Sequence, residues 1–303
     1  MAQAIIVREV VAADLTAITS MFQRMDVAEL GAVITEESEV GVELAEADVG
    51  AWVATTSEAV AAFGSLRRRP WGDELRAHLS FAPGADAAVS VILDRIAEEG
   101  VRVGATAITL WQLADGIASV HLREHGWEPV YTYARLALGL VGRQQPKIAP
   151  AVVVDAASDV AGRKLVHEVI DDAVTGHWDH RHLSFEQFDE AQAAREGHDP
   201  ALWYLAWVDD EPAGGVIART PGQSGLIAWL GTLERFRGRG VATALLTAVF
   251  AELDKRRMPR VYVDVDPANA TNAMAVYERV GMRQQFRMTQ WRLAGGVLGD
   301  QEI

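Results

Sequence analysis

Arg237-Gly238-Arg239-Gly240-Val241-Ala242 sets two glycines and two arginines directly before an amphipathic stretch. Glycine lets the backbone turn with φ > 0 and approach a ligand with no Cβ in the way. A helix beginning at Val241 leaves its first N–H groups without intrahelical partners, and these attract an anion such as a pyrophosphate. The arginines supply charge beside it, with Arg235 as a third cation in a chain of net charge −14. The hexapeptide therefore reads as a phosphate-binding turn. Its glycines do not fit G-x-G-x-x-G, and no Gly-Lys-Ser/Thr follows, so it is neither a dinucleotide turn nor a P-loop. Repetitive Arg-Gly tracts that bind nucleic acid lack the apolar period that follows here.

Other residues could carry chemistry. Tyr277 lies on an amphipathic stretch where a lone tyrosine would ordinarily be core. Asn269 could cap the helix that begins near it, contact a ligand, or do both. Gly176-His-Trp-Asp-His-Arg-His-Leu183 gathers three histidines and an aspartate in a predicted loop. One loop without a second ligand cluster does not make a metal site, so no metal is expected.

Two longer stretches place these residues in a family pattern. Leu230-Gly-Thr-Leu-Glu-Arg-Phe-Arg-Gly-Arg-Gly-Val-Ala242 resembles motif A of the GNAT N-acetyltransferase superfamily, Gln/Arg-x-x-Gly-x-Gly/Ala, with Arg237, Gly240 and Ala242 at the defined positions. Asp264-Val-Asp-Pro-Ala-Asn-Ala-Thr-Asn-Ala-Met-Ala-Val-Tyr-Glu-Arg-Val-Gly-Met282 resembles motif B, with Met282 for the usual Phe. The motifs stand in family order with a predicted strand between them.

The resemblance implies acetyl-CoA as co-substrate. Arg237, Gly238, Arg239, Gly240, Val241, Ala242 and Thr243 would hold its pyrophosphate, and Leu230 and Thr232 would offer main-chain groups to the pantetheine arm and thioester. Asn269 would be a further contact. Tyr277 would be the general acid for the departing thiolate, since a phenol of pKa ~10 lies close to a thiol. His177, Trp178 and His180 would line the acceptor pocket. The general base stays open between this loop, Glu234 and a chain of waters.

The elements that must position these residues follow from periodicity. Ser224–Leu233 predicts a strand. Val241, Leu245, Leu246, Val249, Phe250 and Leu253 share one helical face, closed by Lys255-Arg-Arg257 and Pro259. Upstream, the pattern predicts a strand at Ala151–Val154, a helix at Val160–Val174, irregular chain to about Pro200, and strands at Leu202–Val208 and Ala213–Arg219. Downstream come a strand at Arg260–Val265, the motif B helix and a strand at Phe286–Leu293.

The first half repeats this outline: strands at Ile5–Val10, Ala51–Thr55, Ala59–Leu66, Leu75–Phe81, Thr106–Leu113 and Val130–Leu138, with helices at Asp14–Met25, Asp86–Glu99 and Ile117–His125. Its motif A position reads Phe81-Ala-Pro-Gly-Ala-Asp-Ala-Ala88, without arginine and with acidic Asp86. Aligning Gly126 with Gly281 sets Leu122 opposite Tyr277. The fold class is therefore a mixed-sheet α/β arrangement of two tandem GNAT-like domains. Residues 1–141 form a degenerate copy, 142–150 a proline-containing linker, and 151–303 the copy with the acyl-CoA site.

The 303 residues suit two domains, half are hydrophobic, and the absence of cysteine excludes disulfide and thiolate chemistry. The excess of acid is spread over both halves, which argues against nucleic acid or an anionic membrane as partner. No apolar stretch spans a bilayer and the N-terminus has no signal-peptide pattern, so a cytoplasmic location is expected. The expected function is transfer of acetyl to a primary amine of a small molecule. The alternatives are an acyltransferase resembling mycothiol synthase, acting on a thiol-precursor amine, and a non-catalytic acyl-CoA sensor. A homodimer is compatible with the chain, and nothing in the sequence decides it.

Overall fold

The computed structural model describes residues 4–31, 33, 35–57, 59–69, 73–142, 152–175, 182–268 and 273–294. In chain order the first series of elements is β1 (Ile6–Glu9), α1 (Leu15–Leu30), α2 (Glu37–Glu46), β2 (Gly50–Thr55), β3 (Val60–Arg68), β4 (Glu74–Phe81), α3 (Asp86–Arg102), β5 (Ala107–Leu113), α4 (Ala118–Glu124) and β6 (Glu128–Gly139). The second is β7 (Val153–Ala156), α5 (Val160–Val174), α6 (Phe185–Ala193), β8 (His198–Val208), β9 (Glu211–Arg219), β10 (Gly225–Thr232), α7 (Val241–Lys255), β11 (Arg260–Val265), α8 (Ala273–Arg279) and β12 (Arg283–Ala294). The two series have the same order of strands and helices, so the fold is mixed α/β and doubled.

Two compact units result, one of Met1–Thr132 with Arg287–Ile303 and one of Tyr133–Phe286. In the first the strands run β1-β2-β3-β4-β5-β12, and in the second β7-β8-β9-β10-β11-β6. Within each unit the neighbouring strands pair antiparallel except the central β4–β5 and β10–β11, which are parallel. The last strand of each series thus completes the other series' sheet. Trp291 and Leu293 of β12 are buried in the first core, and Ala134 and Leu136 of β6 in the second. On β12 the buried Thr289, Trp291 and Leu293 alternate with the less buried Gln290 and Arg292, as on a strand with one face against a core. The compact units differ from a linear cut: residues 133–141 lie with the second and 287–294 with the first. The boundaries 1–141 and 151–303 remain our proposal for the repeating stretch of chain, and all but residue 142 of the 142–150 linker lies outside the described residues.

The sequence reading placed most elements and missed two. Irregular chain was expected from 175 to about 200, yet α6 forms there. Ser184 accepts from the Gln187 N–H while the Gln187 side chain accepts from the Ser184 N–H, a capping box that was legible as Ser-x-x-Gln. The first series has the matching helix, α2, opened by Glu36 and Glu39 in the same reciprocal way.

Both parallel pairs splay. β4 pairs with β5 only from Glu74 to Arg76, and β10 with β11 only from Gly225 to Ile227. Beyond these residues each pair opens into a slot whose walls are main chain. In the second unit, helices approach the opened strand unusually closely. A Cβ on Gly214 of β9 would stand 2.7 Å from Val241 Cγ1 and 2.8 Å from the Gly231 carbonyl oxygen. A Cβ on Gly231 of β10 would stand 2.9 Å from Ala173 Cβ and 3.2 Å from Ile170 Cα on α5. Glycine at both places lets the first turn of α7 and the last turns of α5 lie against the sheet on either side of the slot.

Candidate active site

The turn expected to bind phosphate forms as the spacing requires. Leu233 leaves β10, Glu234–Phe236 make a short 3₁₀ turn, and Gly238 and Gly240 take φ of 76° and 85°, the left-handed region that disfavours any side chain. Gly240 is the residue before α7, and no side chain caps this 15-residue helix. Its leading N–H groups, at Val241, Ala242 and Thr243, are therefore aimed outward with the positive end of the helix dipole behind them.

The three arginines separate in role. Arg235 donates to Glu211 at 3.3 Å and Arg239 to Asp209 at 2.9 Å, both acids on the β8–β9 turn, and the two guanidinium groups flank the Phe236 ring at 4.8 and 5.7 Å. Arg237 is exposed and has no ion-pair partner among the described residues. Among the described residues the trio is thus one unpaired cation between two paired ones, rather than three equal cations.

Strand alternation decides which main-chain groups face the slot. The Leu233 N–H donates to the Ala213 carbonyl at 3.0 Å, toward β9, and Gly231 pairs with Gly215 on that same side. Hydrogen-bonding direction alternates along a strand, so the N–H and C=O of Leu230 and Thr232 point the other way, into the slot. The register of β10 on β9 slips between Ile227 and Trp229. Such a bulge bends the strand and increases its twist where β10 parts from β11.

Tyr277 sits on α8, 6% exposed within the core of the second unit, and its hydroxyl has no hydrogen-bond partner among the described residues. Burial pushes the phenol well above its ordinary value. The direction is that of a phenol that holds its proton more tightly than a free one. Glu234 is exposed on the 3₁₀ turn. Asn269, His177, Trp178 and His180 lie outside the described residues.

On the α5–α6 side of β10, an aromatic group gathers that the sequence reading did not single out. Trp229 is 37% exposed and stands edge-on to Phe188 of α6, with ring centroids 6.0 Å apart. Phe188 also lies 4.6 Å from the His167 ring of α5. Burial pushes the His167 imidazole down, against the neighbouring Asp171 charge that would raise it, so it favours the neutral form. The missed signal is the i, i+4 pair His167 and Asp171 on one stripe of α5, readable only once α6 is known to cover it. Among the described residues no group of three or more His, Asp and Glu side chains is placed to hold a metal ion.

The first unit carries the same frame without the same site. Its β4 runs in unbroken register on β3 from Ala62 to Arg68, with no bulge. The Ala82 N–H donates to the Ala61 carbonyl, so Leu79 faces the slot, and buried Gln112 of β5 donates its side-chain amide to the Leu79 carbonyl at 2.7 Å. A side chain thus fills the slot that stands open in β10. At the start of α3, Asp86 pairs with His121 at 3.0 Å. The alignment of Leu122 with Tyr277 is matched in the backbone: the Trp127 N–H bonds the Leu122 carbonyl at 2.9 Å, and the Met282 N–H bonds the Tyr277 carbonyl at 3.0 Å.

Comparison with known proteins agrees with this fold. Residues 163–282 match the Acetyltransferase (GNAT) family. The chain is similar in fold to a GCN5-related N-acetyltransferase from Sphaerobacter thermophilus, with a TM-score of 0.77 and 21% identity over 96% of this chain and 95% of that one. It is similar to a tandem GNAT protein from the clavulanic acid biosynthesis pathway, with a TM-score of 0.63 and 13% identity over 99% of this chain and 100% of that one. A GCN5-related N-acetyltransferase from Kribbella flavida gives a TM-score of 0.52 and 19% identity over 80% of this chain and 91% of that one.

Proposed function

Residues 163–282 being a GNAT-family acetyltransferase domain in a tandem GNAT fold, we propose that the chain transfers the acetyl group of acetyl-CoA to a primary amine of a small molecule, in the second unit alone. The observation that carries this reading is continuity. The outward-facing main chain of Leu230 and Thr232 runs without interruption into the uncapped N-terminus of α7. One extended ligand with an amide-rich arm at one end and a diphosphate at the other fits both.

In this reading the pantetheine arm pairs with β10 in place of the missing stretch of β11, as an added strand would. The pyrophosphate takes the N–H groups from Gly238 to Thr243, with Arg237 as the free cation and the Thr243 hydroxyl within the same turn. A slot-facing N–H at Leu230 or Thr232 meets the thioester oxygen as negative charge develops on it, a type of contact worth about 3–4 kcal/mol in other enzymes. Tyr277 hands a proton to the coenzyme A thiolate. Burial, which raises its pKa, keeps it in the protonated form, and the desolvated phenol is a strong partner for a sulfur anion in the same dry environment. Asn269 remains a proposed contact of the co-substrate, and His177, Trp178 and His180 proposed contacts of the amine.

The test is thiol release from acetyl-CoA against a panel of primary amines. Arg237→Glu/Gly240→Glu serves as the blank, since it places carboxylates on the anion site and a side chain at a left-handed position. Amine-dependent release that vanishes in the blank is the expected result. Failure of the wild-type protein to bind acetyl-CoA would sink the proposal.

A further inference from the structure

The mechanism above lacks a group to take the proton from the amine. Asp171 lies on α5 and His182 on the chain that returns toward α6, and the His182 Nδ1 stands 2.5 Å from the Asp171 Oδ2. That contact fixes the imidazole from one end, and the rest of the ring is open: the His182 side chain is 82% exposed, whereas Asp171 is 16% exposed. The position of His182 is held from its other side as well, because Leu183 packs on the core and Ser184 caps α6.

The pair is near the chemistry. Asp171 directly follows Ile170, whose Cα is 3.2 Å from the place of a Cβ on Gly231, so it lies one residue step, ~4 Å, from the backbone that touches β10. Gly231 is flanked by the two residues whose main chain faces the slot. Asp171 also shares its helical stripe with His167, which meets Phe188 and through it Trp229. An amine lying against Trp229 would therefore have the thioester slot on one side and this pair on another.

We infer that His182 is the general base of the acetyl transfer and that Asp171 is its positioning residue; this rests on the acetyltransferase reading of the site. Asp171 accepts the Nδ1–H, which leaves the lone pair on Nε2 directed away from α5, the arrangement by which a carboxylate fixes a histidine tautomer in other bases. The His182 Nε2 accepts one proton from the acceptor ammonium group. The freed nitrogen lone pair forms the N–C bond at the thioester carbon, the C–S bond breaks, and sulfur leaves with the electron pair. Tyr277 protonates that thiolate. Of the two protons the ammonium group surrenders in becoming an amide, one replaces the proton of Tyr277 and the other passes from His182 to solvent. The products are the N-acetyl amide, coenzyme A and one proton.

Other titratable groups act on His167, the neighbour of the pair: Glu168 from α5 and Glu186 from α6, together with Asp171 and His182 themselves. The acidic ones favour a cationic acceptor, and His167 is enclosed by Phe185 and Phe188. His182 is the exposed imidazole of the set.

The test compares wild type, His182→Gln and Asp171→Asn over pH with the best amine of the panel. The wild-type kcat/KM is expected to fall toward acid pH, as general-base catalysis requires. His182→Gln should lose that limb and about 100-fold in rate, with acetyl-CoA affinity unchanged. His182→Gly should recover activity with added imidazole, which a purely structural histidine would not do. Unaltered rate and pH profile in His182→Gln would overturn the inference and leave the acetyltransferase reading standing. Absence of amine-dependent release from wild type would instead fail that reading. Nitrogen NMR of labelled histidine tests the pair without turnover: Nδ1–H in the neutral ring is expected, and Nε2–H would overturn the inference on its own.

Discussion

In the proposed reaction Tyr277 and the Arg237–Gly240 turn do different work, and single substitutions should separate them. Tyr277→Phe removes a hydroxyl that makes no hydrogen bond among the described residues, so folding should be little changed. We expect kcat to drop about 100-fold while acetyl-CoA affinity holds, checked by steady-state kinetics beside calorimetric binding. Because burial raises this phenol, it stays protonated through and beyond pH ~10, where a free phenol ionises. The deficit of Tyr277→Phe should therefore be the same at pH 7 and pH 9, and any alkaline limb should belong to another group. Arg237→Ala should instead raise the Kd of acetyl-CoA several-fold with kcat unchanged, since a cation beside the diphosphate contributes equally to ground and transition states. The turn was legible because its residue types meet a local requirement: glycine at φ of 76° and 85° and a helix start directly after. The pairing of Arg235 and Arg239 with Glu211 and Asp209 was not legible, because those acids arrive from a separate hairpin.

At the scale of elements, the slot exists because helices press on a strand at glycine. Gly214→Ala would put a methyl group 2.8 Å from a backbone oxygen and 2.7 Å from Val241 at the first turn of α7. We expect a loss of about 1–3 kcal/mol in chemical denaturation, with weakened acetyl-CoA binding as α7 is displaced. In the first unit, α2 is latched to the sheet by Glu43, which accepts from the Ser65 hydroxyl at 2.5 Å and lies 3.6 Å from the His78 Nδ1. Burial would raise this carboxyl, but the His78 and Ser65 hydrogen bonds and the His78 and Arg67 charges override it and bring it from 4.5 to about 2. A carboxylate lowered in the folded state adds stability that is present above its unfolded value and lost as pH falls through the folded one. Between pH 4.5 and 2 the wild type should therefore lose about 2 kcal/mol more than Glu43→Gln, read from denaturation midpoints at each pH. Helices α2 and α6 escaped the sequence reading because both are short and polar on one side. Their capping signals, Glu36 with Glu39 and Ser184 with Gln187, outweighed periodicity.

For the whole molecule, the exchanged strands make each unit depend on the far end of the other series. A chain ending at residue 286 would lose Trp291 and Leu293 from the first core and leave β5 without its antiparallel neighbour. We expect aggregation or loss of cooperative melting, since an uncovered inner edge is a template for intermolecular pairing. Residues 151–303 alone would likewise expose β11, and a fragment that also carries residues 128–141 should be the more soluble of the two. The filled slot of the first unit leads to a count: calorimetric titration should find one acetyl-CoA per chain. A second equivalent would show that Gln112 yields to the ligand.

The sequence by itself determined most of the doubled order of elements, the glycine turn before α7 and the leucine that stands opposite Tyr277 in the first copy. Each rests on short-range rules, such as apolar period, glycine at a left-handed turn, or a fixed distance from a helix-closing glycine. The tertiary structure decided what depends on residues distant along the chain. It turned the main chain of Leu230 and Thr232 toward the slot, closed the first slot with Gln112, and set His182 against Asp171 of α5. It also sent each final strand into the other sheet. A strand records in its sequence which faces are apolar, but not which of two equally apolar edges it will join.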